Sequence, residues 1–230
     1  MRICAFSDIH GNGPAFRVAK KKILKEAADL NIFLGDLCGY YFDQEEIFAE
    51  LLNLPNLIAL RGNHDQMFLE IFRGNEKLRK DYLEKYGRSI EYLLEKDCNE
   101  IADWLAQLPG SSIQLTKGLT AAHGSPWDPV DGYVYPDTAL DLFLEESSNL
   151  FLMGHTHYPM KKLIGEKLIV NPGSIGQPRN GGLPSYAVIN DASGKVKFQD
   201  VPYNCGNILR QIEQIDHNNK YLKDVILRYA

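Results

Sequence analysis

The sequence is poor in cysteine and lacks any long apolar run. Its 230 residues include four cysteines, and no two of them form a C-x-x-C pair. Isolated cysteines are typical of thiols in a reducing compartment, so a disulfide framework is not expected. No stretch approaches the ~18 apolar residues of a membrane span, and the apolar run at residues 3–6 is too short for a signal peptide. We therefore expect a cytoplasmic protein without a membrane segment.

The sequence also lacks an excess of positive charge. It has 25 Lys and Arg residues against 30 Asp and Glu residues, which gives a formal net charge of −5. This balance argues against an extended nucleic-acid-binding face, which requires clustered Lys and Arg. Phosphate-containing ligands remain possible, because bound metal ions can supply local positive charge. The length and the apolar fraction of 44% fit a single globular domain over residues 1–230.

The hydrophobic pattern predicts a layered α/β fold. The opening third reads β-α-β-α-β, with strands at 3–6, 31–34 and 57–60 and helices at 14–28 and 44–53. Residues 66–108 form a helical excursion of mixed charge, which could cover a site or be a solvated surface. Beyond it the pattern is strand-rich, with helices at 137–146 and 206–215 and an amphipathic tail at 218–229. The predicted strands of this part are 112–115, 118–122, 150–153, 160–164, 167–170, 185–190 and 195–201.

Five of the six histidines lie in short polar clusters, several of which follow predicted strands. The clusters are Asp8-Ile9-His10, Gly62-Asn63-His64-Asp65, Ala122-His123-Gly124 and Gly154-His155-Thr156-His157, and Gly35-Asp36 ends another strand. Loops at the carboxyl ends of strands converge in open α/β sheets, so these side chains are candidates for one site. In extended backbone the side chains of Asp8 and His10 point the same way and can reach one ion.

Each cluster also has an ordinary structural interpretation. Gly35-Asp36 can be a turn, Asn63 or Asp65 can cap a helix, and His123 can be a structural histidine. The two histidines of Gly154-His155-Thr156-His157 can belong to a solvated loop. Five such clusters in one chain, however, favour a metal centre over unrelated turns.

The order D-x-H, G-D-x-x-G, G-N-H-D, H-G and G-H-T-H resembles the calcineurin-like metallophosphoesterase superfamily. Residues 171–179, which read Asn-Pro-Gly-Ser-Ile-Gly-Gln-Pro-Arg, are similar to its small bacterial and archaeal phosphodiesterase branch. The resemblance implies a four-layer α-β-β-α sandwich with two mixed sheets flanked by helices. It also implies two divalent metal ions. Asp8, His10 and His157 would hold one ion, Asn63, His123 and His155 the other, and Asp36 would bridge both.

Oxygen and nitrogen ligands without thiolate argue against a structural zinc site. They suit manganese, iron, zinc or nickel equally well. Two carboxylates against two divalent ions leave a positive site that attracts an anionic phosphate. The expected reaction is the hydrolysis of a phosphoester by a hydroxide that bridges the two ions.

Several further residues are candidates for roles around the metals. His64 is expected to protonate the leaving oxygen, with Asp65 orienting its ring. Asn12 and Arg179 are candidate phosphate contacts, since Arg suits bidentate oxygen recognition; alternatively, Asn12 forms an Asx-turn and Arg179 is a surface cation. Trp127, Tyr133 and Tyr135, in the loop 125–135, could stack a nucleobase, although local packing of a Pro-rich loop is favoured.

The sequence therefore predicts a dinuclear phosphoesterase for phosphodiesters or phosphomonoesters, acting on small or nucleotide-like substrates. One alternative is a dinucleoside polyphosphate hydrolase or a phosphoprotein phosphatase, because the segment Asp-Ile-His-Gly-Asn at residues 8–12 resembles those branches as well. A catalytically inactive scaffold of the same fold is the third possibility, and the full set of ligands argues against it.

Overall fold

The computed structural model describes residues 1–228 and contains two five-stranded mixed sheets. In the first sheet the order is β10-β9-β1-β2-β3. Its strands are β1 (Arg2–Phe6), β2 (Leu30–Phe33), β3 (Leu57–Ala59), β9 (Ser185–Asn190) and β10 (Lys195–Asp200). In the second sheet the order is β4-β5-β6-β8-β7. Its strands are β4 (Ile113–Thr116), β5 (Leu119–Ala121), β6 (Leu150–Leu152), β7 (Pro159–Ile164) and β8 (Lys167–Pro172).

Each sheet contains three adjacent parallel strands together with antiparallel strands, which lie on one side of the first sheet and at both edges of the second. Strand β1 pairs in parallel with β2, and β2 with β3, whereas β9 and β10 add in antiparallel fashion. In the second sheet β5, β6 and β8 are parallel, with β4 and β7 antiparallel at the edges. The carboxyl ends of three parallel strands therefore lie along one edge of each sheet.

The β-α-β-α-β opening is confirmed, and four helices lie between residues 63 and 107. Apart from the helix predicted at 137–146, predicted boundaries differ from those observed by at most three residues, and those at 185–190 and 206–215 coincide with them. The helices are α1 (Gly13–Glu26), α2 (Gln44–Leu51), α3 (Asn63–Phe72), α4 (Glu76–Tyr86), α5 (Ser89–Leu94), α6 (Asn99–Gln107), α7 (Gly206–Ile215) and α8 (Lys220–Leu227). The amphipathic tail predicted at 218–229 contains α8, and position 229 lies outside the described residues. Within residues 1–228, no helix combines the length and apolarity needed to cross a membrane.

The helix predicted at 137–146 is wrong in length and type. Only Asp141–Glu145 is helical, as a 3-10 helix. Before it, Thr138 forms a turn with Tyr135, because its backbone N–H donates to the Tyr135 carbonyl and its hydroxyl accepts from the Tyr135 N–H. Such local side-chain bonds give the backbone an alternative to the helix.

Alternate residues of β1 point into different layers. Ile3 and Ala5 are buried among apolar residues of both sheets, whereas Cys4 and Phe6 are buried on the helical side. This alternation follows from the two-residue period of a strand. Because both faces are covered, the parallel strands are continuous apolar runs, as the sequence shows.

Helical elements cover the outer face of each sheet. On the first sheet α1 buries Phe16, Ala19 and Ile23, which have the spacing of one helical face. On the second sheet Phe143, in the 3-10 helix, packs its ring 5.0 Å from that of Phe151 in β6. The layered α-β-β-α sandwich implied by the resemblance is confirmed.

The C-terminal hairpin of α7 and α8 packs beside the loop that follows β2. Ile208, Ile212 and Leu222 form an apolar cluster with the segment 40–42. The Asp216 carboxylate, between the two helices, accepts a hydrogen bond of 3.0 Å from the Arg88 N–H. These contacts place α8 at the sheet edge where the polar loops converge.

Candidate metal centre

The loops that leave the parallel strands carry all seven predicted ligands. Asp8 and His10 follow β1, Asp36 follows β2, and Asn63 lies just beyond β3 at the start of α3. His123 follows β5, and His155 and His157 follow β6. The two sheets thus present their ligand-bearing loops to each other, and the structure brings the seven side chains together.

One group of ligands comprises Asp8, His10 and His157. All three are buried, and one ligand atom of each lies within 4.8 Å of the others. The His157 Nε2 atom is 3.1 Å from His10 Nε2 and 3.3 Å from Asp8 Oδ1. Three ligand atoms this close around a common point suit one cation.

The second group comprises Asp36, His123 and His155, with the same burial and spacing. Asn63 joins it, because its Oδ1 atom is 3.1 Å from His123 Nε2. The Asp36 Oδ2 atom is 3.4 Å from His123 Nε2 and 3.7 Å from His10 Nε2. Asp36 therefore lies between the two groups, which is where a bridging carboxylate would be needed.

Backbone carbonyl groups orient three of the four imidazoles. The pairs are His10 Nδ1 with the Cys38 oxygen at 2.8 Å, His123 Nδ1 with the Leu34 oxygen at 2.8 Å, and His157 Nδ1 with the Gln177 oxygen at 2.6 Å. A carbonyl oxygen can only accept, so each Nδ1 carries the proton and each Nε2 presents its lone pair to the centre. This outer contact is typical of metal-binding histidines.

Whether these residues fit a metal can be judged from the buried ligand atoms that have no hydrogen-bond partner. Among residues 1–228, Asp8 Oδ1, Asp36 Oδ2 and His155 Nε2 are buried and accept no hydrogen bond. An unpartnered buried carboxylate oxygen is costly unless a cation compensates it. Carboxylate and imidazole donors suit divalent ions. The residues present fit two divalent metal ions.

Electrostatic interactions keep both carboxylates charged. Burial acts to raise their pKa values, but the His157 imidazole holds the pKa of Asp8, and the His123 imidazole that of Asp36, below the ordinary carboxyl range. In turn, although burial opposes it, Asp36 raises the pKa of His123 to about 9, so a metal ion at His123 Nε2 would take the place of a proton. Burial lowers the pKa of His155 to about 4. The centre thus contains ionised carboxylates that attract cations.

The backbone at the site is left-handed, not extended. Asp8, His10, Asp36, His155 and His157 have φ angles of 55°, 50°, 65°, 65° and 63°. The sequence argument that extended backbone aligns Asp8 with His10 is therefore wrong, although both side chains reach the same point. Left-handed non-glycine residues are uncommon, and their concentration at a site is typical of functional strain.

Bonds between loops hold this backbone in place. The Asp8 carboxylate accepts from the His155 N–H at 3.1 Å, which links the two sheets. The Asp36 carboxylate accepts from the His64 N–H at 2.9 Å. At Gly35 φ is +103°, and an added Cβ would lie 2.6 Å from the Gly62 nitrogen, so only glycine fits this crossing.

Asp65 supports the backbone of the loops and does not orient the His64 ring, so that prediction is wrong. Its carboxylate accepts from the backbone N–H groups of Asp36 at 2.8 Å, Cys38 at 2.9 Å and Gly62 at 3.1 Å. These three bonds occupy both oxygens, which explains why Asp65 is unavailable to the imidazole.

The His64 ring takes its partner from the helical excursion instead. Its Nδ1 atom is 2.8 Å from the hydroxyl of Tyr82, which lies in α4 and is buried. Tyr82 was not a candidate in the sequence, because nothing in the pattern of α4 indicates which residue turns toward a loop 18 positions earlier. His64 itself lines the open cavity beside the metal ligands.

Asn12 and Arg179 differ in their placement. Asn12 caps α1: its side-chain oxygen accepts from the Ala15 N–H, and its amide donates to the Gly176 oxygen and the Tyr203 hydroxyl. It is fully buried and does not line the cavity, so the structure favours the turn interpretation over a phosphate contact. Arg179 does line the cavity, and its guanidinium lies 3.3 Å from the Tyr40 hydroxyl.

A cavity of about 510 Å³ opens beside the two ligand groups. Of the three aromatic residues proposed from the loop 125–135, Tyr133 alone lines it. Trp127 packs against Phe143 instead, with ring centroids 4.9 Å apart, and Tyr135 stacks on Tyr133. The cavity also has lining residues that the sequence did not suggest, namely Tyr40, Lys85, Tyr86 and Tyr221.

Comparison with known proteins gives a family match over most of the chain. The model of the calcineurin-like phosphoesterase superfamily domain matches residues 1–194. The chain is also 31% identical to the uncharacterized protein MJ0912 of Methanocaldococcus jannaschii, over 94% of this chain and 92% of that protein.

Solved structures give the same result for the fold. The metallophosphoesterase from Sphaerobacter thermophilus superposes with a TM-score of 0.80 at 24% identity, over 99% of each chain. The hypothetical protein PH1004 from Pyrococcus horikoshii OT3 superposes with a TM-score of 0.83 at 26% identity, over 97% of each chain. The similarity therefore extends beyond the ligand-bearing loops to the whole architecture.

Proposed function

Because this chain belongs to the calcineurin-like phosphoesterase superfamily, we propose that it is a dinuclear metal-dependent phosphoesterase, which hydrolyses small or nucleotide-like phosphodiesters or phosphomonoesters. The observation that carries the proposal is the pair of buried ligand groups, with Asp36 within 3.7 Å of a histidine from each. When bound, two divalent ions supply Lewis acidity that activates water and neutralises phosphate charge. A reducing compartment such as the cytoplasm is part of the proposal, supported by four unpaired cysteines.

The remaining steps fall to side chains of the cavity. Arg179 lines it and can donate to phosphate oxygens, which holds the ester beside the ligand groups. His64 lines the same space, and its Nδ1 contact with Tyr82 leaves Nε2 as the ring nitrogen for the substrate. We assign to Nε2 the transfer of a proton to the leaving oxygen, which develops negative charge as the P–O bond breaks.

The test is hydrolysis of bis(p-nitrophenyl) phosphate and of p-nitrophenyl phosphate by the purified chain supplied with Mn²⁺. We expect p-nitrophenolate release from at least one ester, and its loss when a chelator is added. Asp36→Ala should be inactive, because it removes the carboxylate that faces both groups. The ratio of the two rates gives the preference for diesters or monoesters.

Absence of turnover with manganese, iron, zinc and nickel, over a wider panel of phosphoesters, would support an inactive scaffold. A panel that includes dinucleoside polyphosphates and phosphopeptides separates the other two alternatives. The complete set of seven ligands and the open cavity beside them support an active enzyme over a scaffold.

A further inference from the structure

Four tyrosines line the cavity, and each comes from a different segment. Tyr40 lies in the loop after β2, Tyr86 ends α4, Tyr133 lies in the loop after β5, and Tyr221 is in α8. Residue 221 lies beyond the segment 1–194 that matches the superfamily domain. The aromatic lining is therefore a feature of this chain's excursion, loop and C-terminal hairpin together.

The rings extend from the ligand groups to the opening of the cavity. Tyr40 is buried, and its ring centroid is 4.7 Å from that of His10. Tyr86 lies 5.7 Å and Tyr221 6.4 Å from Tyr40, and Tyr133 lies 4.1 Å from His155. A ligand held at the metal ligands would therefore have aromatic surface within reach on several sides.

Two of these tyrosines are unusually open for residues in contact with a site. Tyr133 is 54% exposed and Tyr221 is 46% exposed. An exposed aromatic side chain at the mouth of a polar cavity costs hydrophobic free energy that a ligand with a flat apolar face can recover. Base–aromatic stacking is such an interaction and accepts any base.

The charges of the lining fit an anionic ligand. Arg179 and Lys85 are its cations, and among residues 1–228 neither pairs with a carboxylate. Lys85 instead lies 4.7 Å from the Tyr86 ring centroid. Asp36, a predicted metal ligand, is the acidic residue of the lining. A phosphate with an attached aromatic ring satisfies both features, whereas a neutral or purely aliphatic ester leaves the rings unused.

We infer that Tyr86, Tyr133 and Tyr221 form a ring-binding subsite for the base of a nucleoside phosphate whose phosphate lies at the metal centre. The inference rests on the proposed function for the position of the phosphate. A cavity of about 510 Å³ is within the range that encloses a ligand of this size. The C-terminal hairpin is then a specificity-determining element, since it supplies Tyr221.

The experiment compares the binding of adenosine 5′-monophosphate and ribose 5-phosphate, each used as its non-hydrolysable phosphonate analogue, to the Mn²⁺-loaded full chain by titration calorimetry. The two ligands share the phosphate and the sugar and differ by the base. We expect adenosine 5′-monophosphate to bind at least about tenfold more tightly. In the double variant Tyr133→Ala, Tyr221→Ala, the ratio should fall to near one, with the affinity for ribose 5-phosphate unchanged.

Trp127→Ala is the matched control, because Trp127 is also exposed and lies in the same loop as Tyr133 but packs against Phe143 outside the cavity. It should retain the native ratio. The subsite would be overturned if the native protein bound both ligands with equal affinity or bound neither. It would also be overturned if Trp127→Ala lowered the affinity ratio as much as the double variant does.

Calorimetry does not require turnover, so the outcomes are separable from those of the proposed function. If no ester is hydrolysed but the base adds the expected affinity, the hydrolase proposal fails and the subsite stands. If p-nitrophenyl esters are hydrolysed and the base adds nothing, the enzyme assignment stands and the subsite is wrong.

Discussion

His64 and its neighbours show how adjacent residues of one motif take different roles. Asn63 is turned toward His123, His64 toward Tyr82, and Asp65 toward the backbone of the loop after β2. These three positions begin α3, and successive residues of a helix point in different directions. The side-chain roles therefore follow from the helical geometry at this point of the chain.

Replacing His64 by alanine should lower kcat while metal content stays near that of the native protein. Loss of a proton donor costs roughly 10²–10⁴-fold in rate for substrates with a poor leaving group. Metal content by atomic emission and kcat with an alkyl phosphoester are the measurements, and Asp36→Ala is the comparison that should lose metal. A similar metal loss in His64→Ala would instead make His64 a ligand.

Tyr82→Phe should also lower kcat, by a smaller factor than His64→Ala. The substitution keeps the buried ring and removes the hydroxyl at 2.8 Å from His64 Nδ1. One such hydrogen bond corresponds to about 1 kcal/mol, or several-fold in kcat when it orients the reacting ring. The effect should be seen with alkyl leaving groups and be nearly absent with p-nitrophenolate, which leaves without a proton.

Tyr92→Phe, in the neighbouring helix α5, is the control for Tyr82→Phe, because that ring packs on Phe42 away from His64. Equal losses with both leaving groups would indicate that Tyr82 acts through the fold alone.

At the scale of single residues, the sequence predicts which side chains form the candidate metal centre. It does not predict their backbone conformation or their hydrogen-bond partners. The spacing of histidine, aspartate and asparagine after strands identified the residues that converge. The left-handed backbone of Asp8 and His10 has no marker in the sequence, because neither residue is glycine. The partners Tyr82 and Tyr221 are distant in the chain and become neighbours of the site only through tertiary packing.

At the scale of secondary-structure elements, packing depends on one close crossing. The loop after β2 crosses the start of α3 at a pair of glycines, Gly35 and Gly62. An added Cβ on Gly62 would meet the Asp36 carboxylate directly and the Asp36 nitrogen at 2.6 Å. We therefore expect Gly62→Ala to reduce the free energy of unfolding by about 1–3 kcal/mol. It should also lower metal content, because Asp36 must move.

Chemical denaturation and metal analysis of Gly62→Ala test this expectation. Gly118→Ala is the control, because an added Cβ at Gly118 meets nothing within 4 Å. Its stability should lie within about 0.5 kcal/mol of the native value. Equal stability of the two variants would show that the crossing tolerates a side chain.

Helices and strands with a clear hydrophobic periodicity were predicted well. Segments in which side-chain hydrogen bonds to the backbone compete with helix formation were not. The β-α-β-α-β opening has apolar runs followed by helical spacing, so its layers were accessible from the sequence. Residues 137–146 have apolar positions of the right spacing, yet the turn at Tyr135 and Thr138 prevents a helix from starting there. The docking of α8 onto the loop after β2 depends on contacts that no local pattern encodes.

Across the whole molecule, metal binding should raise thermal stability. Ligands that bind only the folded state stabilise it, by about 2.7 kcal/mol at a hundredfold excess over Kd. For a chain of this size that corresponds to a rise in Tm of about 5–10 °C. Scanning calorimetry before and after chelation, and again after Mn²⁺ is restored, measures the shift.

The Asp36→Ala variant provides the control for the thermal shift, because it lacks the carboxylate between the two ligand groups. Its Tm should respond little to Mn²⁺ or chelator. A native protein whose Tm is indifferent to chelation would contradict the presence of tightly held ions. The single-domain organisation over residues 1–230 stays a prediction, and a single cooperative transition in the same scans would support it.

Both ligand groups take members from the first sheet and from the second, as the link from Asp8 to His155 illustrates. During synthesis the first sheet's loops leave the ribosome long before position 157. The early half of the chain therefore exposes Asp8, His10 and Asp36 without the histidines that complete each group. Under the proposed function, metal loading is then a late event in biogenesis, because the second group is incomplete until His155 is made and the first until His157 is made.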